Sequence, residues 1–180
     1  MGLGYRITRS VLIFFPALFQ LTTQISNEGL SFAFAGVLLA GAFLTLIYLF
    51  LHFDEFINPK LVMELLSDAF VGIVLVTFPS PSPAFAQRYF LIMFSVWLFI
   101  NGMLTTVSGI MDNENKNLLW LYTLTGVAYI AMGFVIMNYD AMVLSSAMWL
   151  VSFMLIIYSG INLYLLLSRK KDYFPSRLKD

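Results

Sequence analysis

The sequence predicts an all-α fold: a six-helix polytopic transmembrane bundle built of three helical hairpins. Three observations carry that expectation. Of the 180 residues, 60% are hydrophobic and 11% charged, against about 25% charged in an average soluble domain. Mean hydropathy is +0.85, and a water-soluble fold of this size could not hide so much apolar surface. The charges are also spaced. They leave charge-free stretches at 10–27, 29–51, 69–87, 89–111, 117–139 and 141–168, with lengths of 18, 23, 19, 23, 23 and 28 residues. A bilayer core of about 30 Å needs roughly 20 helical residues. Finally, the stretches lack the two-residue alternation of a membrane barrel, so helix is the remaining way to pair every backbone group.

Spans are expected near 6–24, 30–51, 61–79, 89–110, 118–137 and 142–167, which pair as hairpins 6–51, 61–110 and 118–167, followed by a basic tail at 168–180. The first span opens on Arg6 and Arg9 and holds Pro16, which should bend it. It reads as uncleaved: no small-residue cleavage site follows, and Gln20, Thr22 and Thr23 close the run. Arg6 stands where a myristoylation motif needs Ser or Thr. The second span ends at His52-Phe53-Asp54-Glu55. That tetrapeptide could bind a metal or sense pH, but its spacing matches no metal motif, and a solvated loop is the reading taken. The third span stops at Pro79, and Pro79, Pro81 and Pro83 are read as excluding helix from the turn that follows. Tyr5, Trp120, Tyr122, Tyr139 and Tyr173 fall at expected interfaces. Trp97 and Trp149 fall deeper and are read as packing residues.

Six spans place both termini on one side. That side carries Arg6, Arg9, Lys60, Lys116, Arg169, Lys170, Lys171, Arg177 and Lys179, while the other carries Arg88 alone. Cytoplasmic loops hold the positive excess, so both termini are expected in the cytoplasm. The tail from Arg169 to Asp180 reads as a topology anchor, with attraction to anionic lipid or a docked partner as the other reading.

Small residues recur at seven-residue spacing: Ser95, Gly102 and Gly109 in the fourth span, Gly126 and Gly133 in the fifth, Ser145, Ser152 and Ser159 in the sixth. This lays a smooth strip along one face of each helix, where a neighbour can approach closely. Residues 72–79 also echo 133–140: a glycine, an apolar run and then a turn. Ser95 and Gly102 are matched with Ser152 and Ser159 in the returning helices, and Gly41 with Gly102 in the first hairpin. Three copies in one orientation suggest pseudo-threefold character.

Asp68 stands out among the polar residues. Eleven residues separate it from Pro79, about 16 Å of helix, so a span ending at that turn carries Asp68 into the hydrocarbon. A carboxylate there costs several kcal/mol unless it is paired or neutralised. Glu64 lies one turn earlier on the same face and would repel it. Asn101 near the middle of the fourth span and Arg9 in the first lie at similar depth. Arg9, Glu64, Asp68 and Asn101 therefore form a possible intramembrane, proton-responsive cluster. The alternative is a boundary acid on a late-starting helix and an Asn serving one interhelical hydrogen bond.

The segment from Asp68 through Gly72 to Pro79, then Leu98-Phe99-Ile100-Asn101-Gly102, echoed from Gly126 to Gly160, resembles the HdeD-like acid-resistance membrane protein family. The resemblance covers about residues 64–168; the first and third hairpins lack the turn proline. It implies an inner-membrane protein of bacteria linked to acid or envelope stress, and brings no catalytic residues, substrate or cofactor.

No phosphate loop, zinc-protease helix, serine elbow or cysteine is present, and net charge is zero. An enzyme, a cofactor or metal site, and nucleic-acid binding are not expected. The expected partners are the lipid bilayer and either further copies of the chain or other membrane proteins. The expected function is non-enzymatic, HdeD-like and stress-related. The alternatives are a structural accessory subunit of a larger membrane complex and a small channel or transporter.

Overall fold

A computed structural model describes residues 2–23, 27–51, 59–77, 82–111, 116–138 and 144–173. It contains six helices: α1 (Gly2–Thr23), α2 (Asn27–Leu51), α3 (Pro59–Thr77), α4 (Pro83–Met111), α5 (Lys116–Met137) and α6 (Leu144–Tyr173). No strand occurs among the described residues.

Three helices are long and apolar enough to cross a membrane over their described portions: Ser31–Leu51, Phe85–Ile110 and Leu119–Met137. A shorter apolar stretch, Trp149–Tyr164, lies in α6. The surface is inverted relative to a soluble protein. Large apolar side chains face outward on every helix, including Phe15, Phe43, Phe70, Val107, Phe134 and Phe153, while Thr45, Asp68, Ser95, Asn101 and Ser159 are buried. α3 shows the division most plainly. Met63, Leu66, Phe70, Ile73 and Val76 form one exposed stripe, and Leu61, Glu64, Asp68, Val71 and Leu75 form the buried one. The period is helical, but the polar face points inward. The chain is a membrane protein with an all-helical bundle.

Proline placement differs from the expectation at one point. Pro83 does not exclude helix; it opens α4. A ring without an N–H costs nothing in a first turn, where that donor has no helical partner. Ser82 caps it. Its Oγ accepts the Phe85 N–H at 3.3 Å, and its carbonyl accepts the Ala86 N–H at 3.0 Å. α4 thus begins six residues before position 89. Pro79 and Pro81 lie outside the described residues, as do His52, Asp54 and Glu55. α1 is helical through position 16, and α6 runs on to Tyr173, into the segment expected as tail. The packing role read for Trp149 is also corrected. Trp149 is exposed, and Tyr122 is buried, because Tyr122 faces Gly109 of α4. The side chains of Tyr5, Tyr139, Tyr173 and Ser145 lie outside those described.

Every helix packs on its neighbours in sequence, but the most extensive packing is between the expected hairpins and not within them: α2 on α3, α4 on α5, and, closing the bundle, α1 on α6. The pairs α1–α2, α3–α4 and α5–α6 touch less. The bundle therefore alternates tight and loose interfaces. Small residues account for the tight ones. Where α4 meets α5, a Cβ on Gly102 would lie 2.7 Å from the Gly126 carbonyl, and one on Gly133 would lie 3.2 Å from the Ser95 carbonyl. Where α2 meets α3, a Cβ on Gly72 would lie 2.8 Å from Leu39 Cγ. Where α6 meets α1, Ser159 Oγ donates to the Ser10 carbonyl at 2.6 Å. Ser152 is fully buried on the same helix. Backbones come closest where side chains vanish.

The apolar core is strongly aromatic. Phe34 of α2 meets Phe90, Phe94 and Trp97 of α4 edge-on, with centroids 5.9, 5.3 and 5.4 Å apart. Trp97 continues to Tyr158 of α6 at 4.8 Å, and Tyr158 to Tyr129 of α5 at 4.7 Å. Such offset and tilted contacts suit the aromatic quadrupole.

Candidate functional site: a buried charge cluster

The structure brings Arg9, Glu64, Asp68 and Asn101 into one network at mid-height. Asp68 lies at the midpoint of α3, and Trp97 at the midpoint of α4. The Arg9 Nη1 is 3.1 Å from Glu64 Oε2. Its Nε donates to Asp68 Oδ2 at 3.0 Å, and its Nη2 lies 2.7 Å from the same oxygen. One guanidinium therefore holds both carboxylates, which stand one turn apart on the buried face of α3. The other Asp68 oxygen, Oδ1, accepts the Trp97 indole N–H at 2.9 Å. Asp68 is 1% exposed, so these contacts replace hydration entirely. A buried charge needs this kind of pairing.

Gly41 of α2 borders the cluster. Arg9 belongs to α1 and Asp68 to α3, with α2 between them. A Cβ on Gly41 would lie 3.5 Å from Asp68 Oδ2 and 3.8 Å from Arg9 Cγ. Both distances are ordinary van der Waals contact, so α2 lines the Arg9–Asp68 pair closely at this point. Thr45 Oγ1 donates to the Gly41 carbonyl at 2.8 Å.

From Trp97 the network continues to the other half of the bundle. Asn101 Nδ2 donates to the Trp97 carbonyl at 2.9 Å, and its Oδ1 accepts the Tyr158 hydroxyl at 3.0 Å. Tyr129 Oη donates to the Tyr158 carbonyl at 3.2 Å. Asn162 Nδ2 donates to that carbonyl at 2.9 Å and lies 3.4 Å from Tyr129 Oη.

Trp97, Tyr158, Tyr129 and Asn162 are site residues that the sequence reading passed over. A signal was present. Trp97-Leu-Phe-Ile-Asn101 and Tyr158-Ser-Gly-Ile-Asn162 share an aromatic, then Ile-Asn three and four positions on. Asp68–Trp97 and Tyr129–Tyr158 are both joined across 29 positions. The second and third hairpins therefore align at one offset, 129 − 68 = 162 − 101 = 61, the same that relates Gly72 to Gly133. The match of Ser95 and Gly102 with Ser152 and Ser159 is corrected to this register in the returning helices. Asp68 corresponds to Tyr129, so the charge belongs to one copy only.

No group of three or more metal-ligating side chains occurs among the described residues. The arrangement is one cation on two acids, with the Trp97 indole on the second Asp68 oxygen, inside a helical membrane bundle.

Comparison with known proteins adds one finding. Residues 66–138 match the family model described as a short repeat of unknown function, DUF308. The matched stretch contains Asp68, Trp97, Asn101 and Tyr129 and runs across α4 and α5, the tightest pair. No curated protein and no solved structure matches the chain significantly.

Proposed function

We propose that this chain is a non-enzymatic, HdeD-like integral protein of the bacterial inner membrane that contributes to acid or envelope stress tolerance through its intramembrane charge cluster. The observation that carries this reading is Arg9 shared between Glu64 and Asp68 at mid-bundle. Ionisable groups at such depth are costly and mark function by default. Two acids on one base leave an odd charge, and its protonation is a natural response to acidity. The DUF308 match supports the family side of the reading, since that repeat is the domain of HdeD-like proteins. Basic residues concentrated on one side support cytoplasmic termini. The channel reading has less support, because the rings of Phe34, Phe90, Phe94 and Trp97 pack against one another within the core.

The test is Asp68→Asn. Survival of acid challenge and proton leak in cells should both change while expression holds. Unchanged survival and leak at normal expression would overturn the proton-responsive reading.

A further inference from the structure

We propose that the bundle moves as three rigid helix pairs, α6 with α1, α2 with α3 and α4 with α5, and that the Arg9–Glu64–Asp68–Trp97 cluster is the latch that holds them together where they meet. The device is built from packing and partner choice alone, and it goes beyond the stress-tolerance reading.

Two kinds of contact divide the bundle. Within the pairs, helices meet where side chains are missing or small. A Cβ on Gly126 of α5 would lie 2.6 Å from the Gly102 carbonyl of α4, and one on Gly109 of α4 would lie 2.6 Å from Tyr122 Cβ of α5. A Cβ on Gly72 of α3 would lie 3.3 Å from the Ala35 carbonyl of α2. α6 meets α1 through Ser159 on the Ser10 carbonyl. Backbones in such direct contact hold two helices firmly in one register. None of these contacts involves a charge.

Between the pairs, polar side chains and rings make the joins. Arg9 crosses from α1 to Glu64 and Asp68 of α3. Trp97 crosses from α4 to Asp68, and Lys60 from α3 to Ser108 of α4. Tyr158 crosses from α6 to Asn101 of α4, and Tyr129 from α5 to the Tyr158 carbonyl. Firm units joined by exchangeable side-chain bonds are the usual parts of a sliding or swinging transition.

The cluster stands where all three pairs meet. Arg9 comes from α6–α1, Glu64 and Asp68 from α2–α3, and Trp97 from α4–α5. Asp68 Oδ2 faces the guanidinium of the first pair and Oδ1 accepts the indole N–H of the third, so one carboxylate spans all three units. The ties are uneven. α4–α5 is joined to α2–α3 by Lys60 and by the rings around Phe34 as well, and to α6–α1 by Tyr158 and Tyr129. Of these contacts, Arg9 is the one that joins α6–α1 to α2–α3. Its release frees the seam between α1 and α2 first.

The chain has no cysteine, so spin-label pairs can be placed at exposed positions and their separations read by pulsed EPR on the full chain in lipid vesicles. F15C/F32C spans the α1–α2 seam, while F15C/F153C and F32C/F70C each lie within one pair; all four positions are exposed. In R9M/E64Q/D68N, where no charge is stranded, the F15C/F32C separation should lengthen and broaden by several ångströms. The other two should keep their wild-type values. Asp68→Asn, which leaves Arg9 on Glu64, should give a smaller shift of the same label pair. Tyr158→Phe cuts a tie at another seam and should leave F15C/F32C as in the wild type. An unchanged F15C/F32C separation in the triple variant overturns the latch, and an equal shift in Y158F overturns its assignment to Arg9. Within-pair separations that move as much, or are lost, overturn the rigid pairs, because their packing rests on no charge. Acid survival reads the stress-tolerance role and EPR reads the movement, so the two fail separately.

Discussion

Arg9→Met removes the cation while keeping a long, unbranched stem. The arginine side chain is 11% exposed and that of Asp68 1%, so solvent screening, which reduces exposed ion pairs to about 0–1 kcal/mol, does not apply. Methionine leaves two buried carboxylates one turn apart with no opposing charge. Breaking a buried pair from one side costs roughly 3–5 kcal/mol, because the remaining charge is stranded, whereas replacing all partners together is often close to neutral. R9M should therefore lose about 3–5 kcal/mol, and R9M/E64Q/D68N should regain most of it. The assay is equilibrium unfolding in mild detergent titrated with SDS, followed by circular dichroism. An R9M loss below about 1 kcal/mol, or a triple variant no more stable than R9M, would refute the view that Arg9 neutralises the two acids.

Further outcomes concern packing around this cluster. A Cβ on Gly126 would lie 2.6 Å from the Gly102 carbonyl, so Gly126→Ala must push α4 and α5 apart and should cost about 1–3 kcal/mol by overpacking. Gly36→Ala has nothing within 4 Å and should be neutral or gain up to about 1 kcal/mol of helix propensity in the same titration; equal effects of the two would contradict the tight-interface assignment. Tyr158→Phe removes the hydroxyl donated to Asn101 at 3.0 Å and should cost about 1–3 kcal/mol by leaving the buried Asn101 oxygen unpaired. No measurable loss would show that this link adds nothing.

Much of the fold was legible because charge marks where helices end. Asp112, Glu114 and Lys116 separate the fourth and fifth charge-free runs, and Met111 closes α4 while Lys116 opens α5. Pro83 was misread because a proline that breaks a helix and one that starts it are the same residue. Only the Ser82 cap before it tells them apart. Asp68, Glu64, Arg9 and Asn101 could be shortlisted because ionisable and amide groups are rare between apolar runs. Trp97 could not, since a buried indole looks like packing until its N–H is seen on a carboxylate. Gly41 was noticed as a small residue, but its place beside the Arg9–Asp68 pair depends on how three helices meet. Which helices pack most closely was likewise beyond a local reading, because that depends on which smooth strips face one another across the bundle.

The alternation of tight and loose interfaces bears on how the chain is assembled. Synthesis delivers helices in order, yet the broad partner of α1 is α6, the last to emerge, and the carboxylates that neutralise Arg9 arrive with α3. Until then α1 holds a charge in the membrane without its acids, and its Ser10 carbonyl waits longer still for Ser159. The pairs α2–α3 and α4–α5 can dock as soon as their members have been made. The seat of α1 is thus whole only when α3 and α6 are both in place.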